Sequence, residues 1–457
     1  MGYVRGEDRH QGSLFPVCSD ELIPDDHVCR VIEAFVFQLD LSDLGFRHST
    51  IAATGRPPYD PADLLKLYIY GYLHQTRSSR KLERECQRNV EVMWLLGRLA
   101  PDFKTIARFR QENPKAIKYV CAQFVQFCRR AGLVCGDWVA IDGSKFQAVA
   151  SRKAIWTAKR LLKEQARLEQ TIGQYLDQLD GADTSDEPML EGEAVRTALA
   201  LLNETGRQSA TITEPEARSM KGIGPAYNVQ SAVEANHHLI VHHEVTDEVT
   251  DNRSLEPMSQ GAKDATGSSS MKVLADAGYA NREQLASLEA AGITPYVASN
   301  RAVNTQGDGT LFKAEQFVYE PEQDRYRCPA GQVLTRKQQH RKKRYVLYAA
   351  QASDCGVCPY QSQCTTSQQR YLTRHFYEET LQRTAQRTKS RHMRWRASIV
   401  EHPFGTLKYQ IFEKPRFLMR GKEGAGTEMA LGVLAYNLKC VMNVMGNQKL
   451  REQLLAE

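Results

Sequence analysis

Apolar residues recur at helical spacing from residue 17 to about residue 135. They lie three and four positions apart in Val31 to Leu39, Leu64 to Leu73 and Ala116 to Phe127, which predicts helices with one buried face. In GRPPYDPADLLKLYIYGYL, Asp60 is the expected N-cap and Pro61 the first helical residue. We therefore expect an all-helical N-terminal domain over residues 1–135.

One short helix of this domain carries basic side chains. The segment KTIARFRQEN follows Pro101-Asp102 and contains Lys104, Arg108 and Arg110. Its length and charge are typical of the recognition helix of a helix-turn-helix, which predicts that these three residues contact DNA. The alternative is an ordinary solvated helix of a bundle.

The pattern changes at residue 138. WVAIDGSKFQAVAS predicts a strand, a tight turn at Gly143 and a short second strand, and a helical hairpin follows as an insert over residues 151–210. YNVQSAVEA and LIVHHEVT alternate as a β-hairpin does, KVLADAGY predicts a short buried strand, and ITPYVAS predicts another strand after a helix. These elements predict an α/β core over 136–299, which resumes over 376–445.

Residues 300–375 interrupt this core. They are polar, have no clear period, and contain four cysteines and the basic run RKQQHRKKR, Arg336 to Arg344. We expect a small separate insert, whose basic run either contacts the DNA backbone or is a solvated surface. A last apolar helix, EMALGVLAYNLKCVMNVM, precedes a C-terminal tail over 446–457.

Composition sets limits on the class of protein. The 457 residues are 42% hydrophobic and 25% charged, enough for two or three domains, and the net charge of +6 permits a polyanionic partner without requiring one. The sequence has no apolar run of membrane-spanning length and no secretory signal at its start, which predicts a cytoplasmic protein without membrane contact.

The cysteines indicate a metal site rather than disulfides. Their number, eleven, is odd, which favours reduced thiols. Four of them, at zinc-ligand spacing in the insert, predict one structural zinc ion, and His340 or His375 could replace one of them: Cys328, Cys355, Cys358 and Cys364. The alternative is a set of unligated thiols, and the other seven cysteines are expected to be small core residues.

Two aspartates stand at the predicted ends of strands. Asp142 follows WVAI, Asp276 follows KVLA, and a glycine comes one or two residues later in each case. Phosphodiester chemistry with two metal ions requires several carboxylates at one point, since hard cations prefer oxygen ligands. Asp247 and Asp251 compete with Asp276 for the second position, but they follow a hairpin rather than a buried strand.

A third carboxylate is expected from a helix. Glu401 precedes Lys408 by seven residues, which places both side chains on one helical face, where Lys408 can meet a DNA phosphate. Pro403 is expected to end or kink this helix just beyond the acid.

The sequence motifs around these acidic residues resemble those of one protein family. AIDGSKFQA, LADAGY and IVEHPFGTLK closely resemble the DDE transposases of bacterial insertion sequences, and GRPPYDPADLLKLYIYGYL, TRSSRKLE and PDFKTIARFR resemble the helical head of the IS1182 type. The resemblance implies an RNase H-like catalytic core. It further implies that Asp142, Asp276 and Glu401 form the DDE triad and bind two Mg²⁺ or Mn²⁺ ions, with Lys408 completing the Glu-x6-Lys pattern.

One position departs from the broader family. The arginine expected four residues before the glutamate is replaced by Ala397, while Arg394 and Arg396 stand at offset positions. These two arginines are the candidates for the corresponding DNA contact.

The implied activity is that of a transposase. Such an enzyme binds the terminal inverted repeats of its element, cleaves DNA and joins 3′-OH ends to target DNA. The resemblance also implies a homodimer on DNA and a nucleoid-associated location in the bacterial cytoplasm. The alternatives are a domesticated DNA-binding protein without catalysis and an RNase H-fold nuclease without strand transfer.

Overall fold

The structure is a computed structural model that describes residues 18–50, 57–178, 187–205, 207, 209–298 and 311–456. It divides the chain into two compact units. The first comprises Met1–Val249, Gly261–Ser268 and Ser398–Glu457, and the second comprises Thr250–Gln260 and Ser269–Ala397.

The first unit opens with a helical region, as the sequence predicts. Its helices are α1 (Val28–Phe37), α2 (Pro61–Leu73), α3 (Ser79–Arg88), α4 (Val90–Leu95), α5 (Phe103–Glu112) and α6 (Pro114–Arg130). The predicted cap of α2 is confirmed, because the Asp60 carboxylate accepts a hydrogen bond of 2.8 Å from the Ala62 amide and Pro61 is the first helical residue.

An antiparallel sheet follows these helices. The strands of the first unit are β1 (Trp138–Gln147), β2 (Ile155–Thr157), β3 (Ser209–Thr211), β4 (Arg218–Met220), β5 (Gly224–Glu234) and β6 (Ile240–Thr246). Strand β5 is buried along its whole length; it pairs with β1 on one edge and with β4 and β6 on the other. The predicted turn at Gly143 is wrong, because β1 runs through this residue, which pairs with Gln230.

The helical hairpin predicted within residues 151–210 is present. Helices α7 (Ala158–Gln178) and α8 (Glu187–Thr205) pack on each other. Their small core includes Leu161, Ala198 and Leu202, with Ala210 from β3. The insert therefore has a hydrophobic core of its own, and the antiparallel pair of β2 and β3 adjoins it.

The second unit contains a parallel strand pair and a separate sheet. Its elements are α9 (Leu255–Thr266, which also contributes to the first unit), β7 (Met271–Ala275), α10 (Arg282–Ala290), β8 (Ile293–Val297), β9 (Val318–Glu320), β10 (Arg325–Arg327), β11 (Val333–His340), β12 (Tyr345–Ala349), α11 (Ala352–Gly356), α12 (Gln361–Cys364), β13 (Tyr371–His375), α13 (Glu378–Arg387) and α14 (Ser390–Thr406, which belongs to the first unit from Ser398 on). Strands β7 and β8 are parallel and joined by α10.

Strands β9 to β13 form a five-stranded antiparallel sheet in a segment where the sequence shows no period. The reason lies in its thin core, which includes Tyr326, Leu334, Tyr348 and Leu372. In β11 only Leu334 is buried, and five residues in a row are exposed. A strand with one buried residue shows no apolar alternation in its sequence.

Two helices close the chain. Helix α15 (Gly421–Met445) is buried along most of its length against α2, α6 and β6. Helix α16 (Asn447–Ala456) packs on α1, where the sequence predicts only a tail. In the described part of the chain no single helix is long and apolar enough to cross a membrane; α15 and α16 meet that test only as a pair bent by 107°.

Candidate functional site

Asp142 lies in the middle of β1, opposite Ser231 of β5. Its side chain is partly buried, and Oδ1 accepts a hydrogen bond of 2.9 Å from the Gly143 amide. Because β1 is paired along its length with the buried β5, the carboxylate is fixed on a rigid strand. Such support is what a metal-binding or catalytic group requires.

Lys408 is a cation close enough to this carboxylate to feel its charge. Its Nζ lies 5.9 Å from the centre of the Phe146 ring, further along β1. Burial lowers the pKa of Lys408, and the nearby Asp142 carboxylate opposes this shift. The structure therefore brings Asp142 and Lys408 near each other in the first unit. From the sequence alone, only the motifs that resemble the family suggested that these two residues belong to one site.

Glu401 is exposed on α14. Pro403 lies inside the same helix without ending it, because α14 continues to Thr406. The chain then widens into a π-helical turn, Leu407–Ile411, closed by a hydrogen bond of 2.8 Å from the Phe412 amide to the Leu407 carbonyl. Such turns are rare and often occur at functional sites, and this one carries Lys408.

Asp276 lies in the second unit, directly after β7, as predicted. It caps a short 3₁₀ turn, with Oδ1 accepting a hydrogen bond of 2.7 Å from the Gly278 amide. Oδ2 lies 3.6 Å from Nη2 of Arg396 on α14, and the Asp276 side chain is 46% exposed. Arg396 is thus an ion-pair partner of the second aspartate, a role that the sequence did not indicate.

The two competing acids have different surroundings. In the second unit, Oδ2 of Asp251 lies 3.9 Å from the position that a Cβ would occupy on Gly278, so this carboxylate is close to the Asp276 turn. In the first unit, Asp247 forms ion pairs with Arg207 and, at 3.8 Å, with Lys422. Asp247 is therefore already balanced by two cations.

The basic residues of α5 divide by exposure. Lys104 and Arg108 are exposed, and Arg108 forms a loose i,i+4 pair of 4.0 Å with Glu112. Arg110 is only 6% exposed, and its guanidinium lies 3.9 Å from the buried Glu428 carboxylate and over the Tyr68 ring. Its charge is engaged inside the protein, so Arg110 is left out of the DNA contacts proposed below.

The four insert cysteines converge on one small cavity. Its volume is about 20 Å³, and its lining includes Cys328, Cys355, Cys358 and Cys364. The Cys358 amide donates to the Cys355 carbonyl at 3.2 Å, which forms the tight turn between these two residues. Burial raises the pKa of Cys364; Arg370 opposes this, and the other three thiols add to it.

These sulfur atoms are close without yet being at ligand spacing. Among the described residues, no three of them lie within 4.8 Å of one another, whereas the sulfurs of a tetrahedral zinc site are about 3.8 Å apart.

The basic run beside the cysteines begins within β11 and continues into the turn that comes after it. Residues 335–339 are exposed. Arg336 pairs with Asp324 at 3.2 Å, and Arg344 pairs with Glu283 at 2.8 Å. The two ends of the run therefore carry acidic partners on the surface.

Comparison with known proteins identifies the family. A transposase domain (DUF772) matches residues 17–112, and a transposase DDE domain matches residues 327–442. The chain is an insertion-sequence DDE transposase. The resemblance drawn from the sequence is thereby confirmed, and both matches are consistent with the IS1182 type. The second match contains Glu401 and Lys408, whereas Asp142 and Asp276 lie outside both matched segments.

Membership of this family indicates an enzyme that acts on DNA by cleavage and transfer and uses divalent metal ions. No curated protein matches the chain. Among solved structures, a piggyBac transposase synaptic complex with hairpin DNA is similar to the chain with a TM-score of 0.37 and 9% identity, covering 93% of this chain and 79% of that one. A similarity of this degree carries no argument about fold or function.

Proposed function

We propose that the chain binds the ends of an insertion sequence, cleaves the DNA there and joins the freed 3′-OH ends to target DNA. The observation that carries this proposal is that a cation lies near each aspartate: Lys408 near Asp142, and Arg396 in an ion pair with Asp276. Asp142 stands on β1, and Asp276 follows β7 directly and caps the next turn, so the backbone fixes the direction of both side chains. Transposition also requires two ends to be held together, so we propose a homodimer on DNA.

We propose that the fold around these acids is an RNase H-like core. In the first unit, β1, β5 and β6 are consecutive antiparallel neighbours. In the second unit, β7 and β8 are parallel and joined by a helix. Three antiparallel strands followed along the chain by a parallel pair are the strands that such a core requires.

The donor set fits two hard cations. The three proposed ligands, Asp142, Asp276 and Glu401, are all carboxylates, and none of them is fully buried. Mg²⁺ and Mn²⁺ prefer such oxygen ligands and keep several water molecules. When bound, the ions supply charge stabilisation to the attacking and leaving oxygens of the phosphodiester.

The protein side chains then bind and orient the DNA. The Lys408 ammonium, held beside Asp142, meets a phosphate next to the scissile bond, and Arg396 holds the Asp276 carboxylate in position. Arg394 on α14 and Lys104 and Arg108 on α5 are exposed and bind phosphates further away. Since α5 lies in the helical head, its contacts are those proposed for the terminal repeats.

The decisive variant is Asp142→Asn. It removes a metal ligand while keeping shape and size, so strand cleavage and strand transfer in Mg²⁺ are expected to be lost while binding of element ends is retained. The matched control is Asp137→Asn, an exposed position just before β1, which should leave both activities intact. Assays use labelled DNA carrying the inverted repeats that flank the gene.

The outcomes separate the possible activities. Full cleavage by Asp142→Asn would overturn the assignment of this residue. Cleavage by the wild type without joining of pre-cleaved ends would indicate a nuclease. Salt-dependent binding without any metal-dependent cleavage would indicate a DNA-binding protein that has lost catalysis.

We also propose that the insert cysteines bind one structural zinc ion. Four thiols around one cavity of about 20 Å³ match the ligand number and softness that zinc selects. The insert buries few apolar side chains, so a metal ion supplies stability that its core lacks.

This site has its own test. Replacing Cys355 and Cys358 with Ser should lower the zinc content of the purified chain by about one ion per chain and expose the insert to limited proteolysis. Cys135→Ser, an exposed cysteine outside the insert, is the control and should change neither. Unchanged zinc content in the double variant would leave the insert without a metal.

A further inference from the structure

A second group of potential metal ligands lies in the helical head and shares no residue with the sites described above. His27, Cys29 and Glu91 each offer a ligand atom, and these three atoms lie within 4.8 Å of one another. Within the described part of the chain, no other set of three His, Cys, Asp or Glu residues meets this spacing. His27 caps α1, Cys29 lies in its first turn, and Glu91 lies in the first turn of α4.

The three side chains present complementary ligand atoms. Cys29 is fully buried, and burial, helped by Glu91, raises the pKa of its thiol to about 12. Glu91 uses Oε2 to accept a hydrogen bond of 2.7 Å from Tyr70, which leaves Oε1 facing His27. Tyr70 thus fixes the carboxylate in the way that an outer partner fixes a metal ligand.

A further histidine, His74, lies near these three residues. His74 is the C-cap of α2, and its ring stacks on Tyr70 with centroids 4.2 Å apart. Desolvation of the ring lowers the pKa of His74, Glu91 opposes that shift and His27 adds to it. Because Tyr70 also donates its hydrogen bond to Glu91, His74 lies next to the same cluster.

A simple ion pair explains this arrangement poorly. His27 Nε2 lies 3.5 Å from Glu91 Oε1, longer than the roughly 2.7 to 3.2 Å of an N–H···O hydrogen bond. This ion pair involves only His27 and Glu91, so it does not explain why the fully buried Cys29 thiol lies beside them. One sulfur, one carboxylate oxygen and two imidazole nitrogens are, in contrast, the mixed set that tetrahedral zinc accepts.

We propose that His27, Cys29 and Glu91, with His74 as the fourth ligand, bind a structural zinc ion that joins α1, α2 and α4. On binding, the Cys29 thiol releases its proton to solvent and the thiolate takes its place on the metal. Glu91 binds through Oε1. His27 binds through Nε2 and carries its ring proton on Nδ1.

This binding mode has a small local cost. In the metal-free protein, His27 Nδ1 accepts a long hydrogen bond of 3.3 Å from the Cys29 amide. A proton on Nδ1 removes that cap. The loss of one long hydrogen bond is small beside the free energy that structural zinc binding provides, so the exchange favours the metal-bound form.

The test compares two buried cysteines of the same helical region. Full-length chain is dialysed against excess Zn²⁺ and then against metal-free buffer, and bound zinc is counted. Cys29→Ser is expected to hold one zinc per chain fewer than the wild type and to lose the rise in melting temperature that zinc produces. Cys86→Ser, buried on α3 and outside the cluster, is the control and should keep both.

A second variant guards against a folding defect in Cys29→Ser. Glu91→Gln alters a partly exposed side chain and should lower zinc affinity at least tenfold while the metal-free protein melts as before. With Co²⁺ in place of zinc, Cys29→Ser should lose part of the sulfur-to-cobalt charge-transfer absorption. Equal zinc content in the wild type, Cys29→Ser and Glu91→Gln would overturn the proposal. The insert cysteines and the DNA cleavage assay are independent of this result.

Discussion

At the scale of single residues, each of the two aspartates is distinguished by its partner. The chain contains 54 acidic residues, so an aspartate after a strand is not unusual by itself. Asp276 forms an ion pair with a guanidinium on another element, that of Arg396 on α14. Arg396 could not be predicted as this partner, since it lies outside the position that the family pattern marks and far along the chain from Asp276.

Arg396 is therefore expected to act as a positioning residue. Arg396→Ala should lower cleavage by about 10- to 100-fold, because loss of a partner that orients a metal ligand typically has this effect. Binding of element ends should change little. Arg396→Lys should restore only part of the activity, since an ammonium lacks the planar fork of a guanidinium. Cleavage rates and gel-shift affinities on the same DNA measure the two effects.

Arg394 provides the contrast. It is exposed two residues earlier on the same helix, so Arg394→Ala should weaken DNA binding and reduce its salt dependence. Equal losses of binding in both variants would show that Arg396 acts as a DNA contact instead of holding Asp276.

At the scale of elements, the sequence predicted the regular segments and missed the irregular ones. The helices α1, α2, α5 and α6, the hairpin of β5 and β6 and the strand before Asp276 have the periods that were expected. The turn predicted at Gly143 is absent. Glycine within a β pattern often indicates a turn, but here the pairing of β1 with β5 keeps the backbone extended through this residue. The sheet of β9 to β13 was missed because most of its residues face solvent.

The end of α14 shows what local rules leave out. A proline inside a helix removes an amide donor and is expected to end or kink the helix. Here α14 continues past Pro403, and the irregularity lies further on, in the π-helical turn Leu407–Ile411. No local motif predicts such a turn. This turn nevertheless carries Lys408, which lies near Asp142. The two residues could therefore be selected from the sequence, but their relative placement could not be predicted.

At the scale of the whole molecule, a buried ionic cluster joins distant parts of the first unit. Glu428 on α15 is fully buried and accepts hydrogen bonds from Arg77 at 3.1 Å and from the backbone amides of Leu418 and Met419. Arg77 also donates to the carbonyls of Phe412 and Arg416. The helical head is therefore tied both to α15 and to the loop that precedes it.

Removal of this carboxylate should destabilise the protein strongly. Glu428→Gln leaves Arg77 and Arg110 buried without an anion, and the free energy of unfolding is expected to fall by about 3 to 5 kcal/mol. Urea denaturation followed by circular dichroism measures the change. Glu423→Gln, an exposed position on the same helix, should alter the unfolding free energy by less than about 0.5 kcal/mol. Similar losses in the two variants would contradict the role given to the cluster.

The same cluster limits how this chain can be recombined with its relatives. Arg77 and Arg110 belong to the matched segment 17–112, and Glu428 belongs to the matched segment 327–442. A head grafted from another transposase to change the recognised DNA ends would bring its own residues to positions 77 and 110, facing a buried carboxylate at 428. Such chimeras inherit a charge-matching condition, and positions 77, 110 and 428 have to be exchanged as one set.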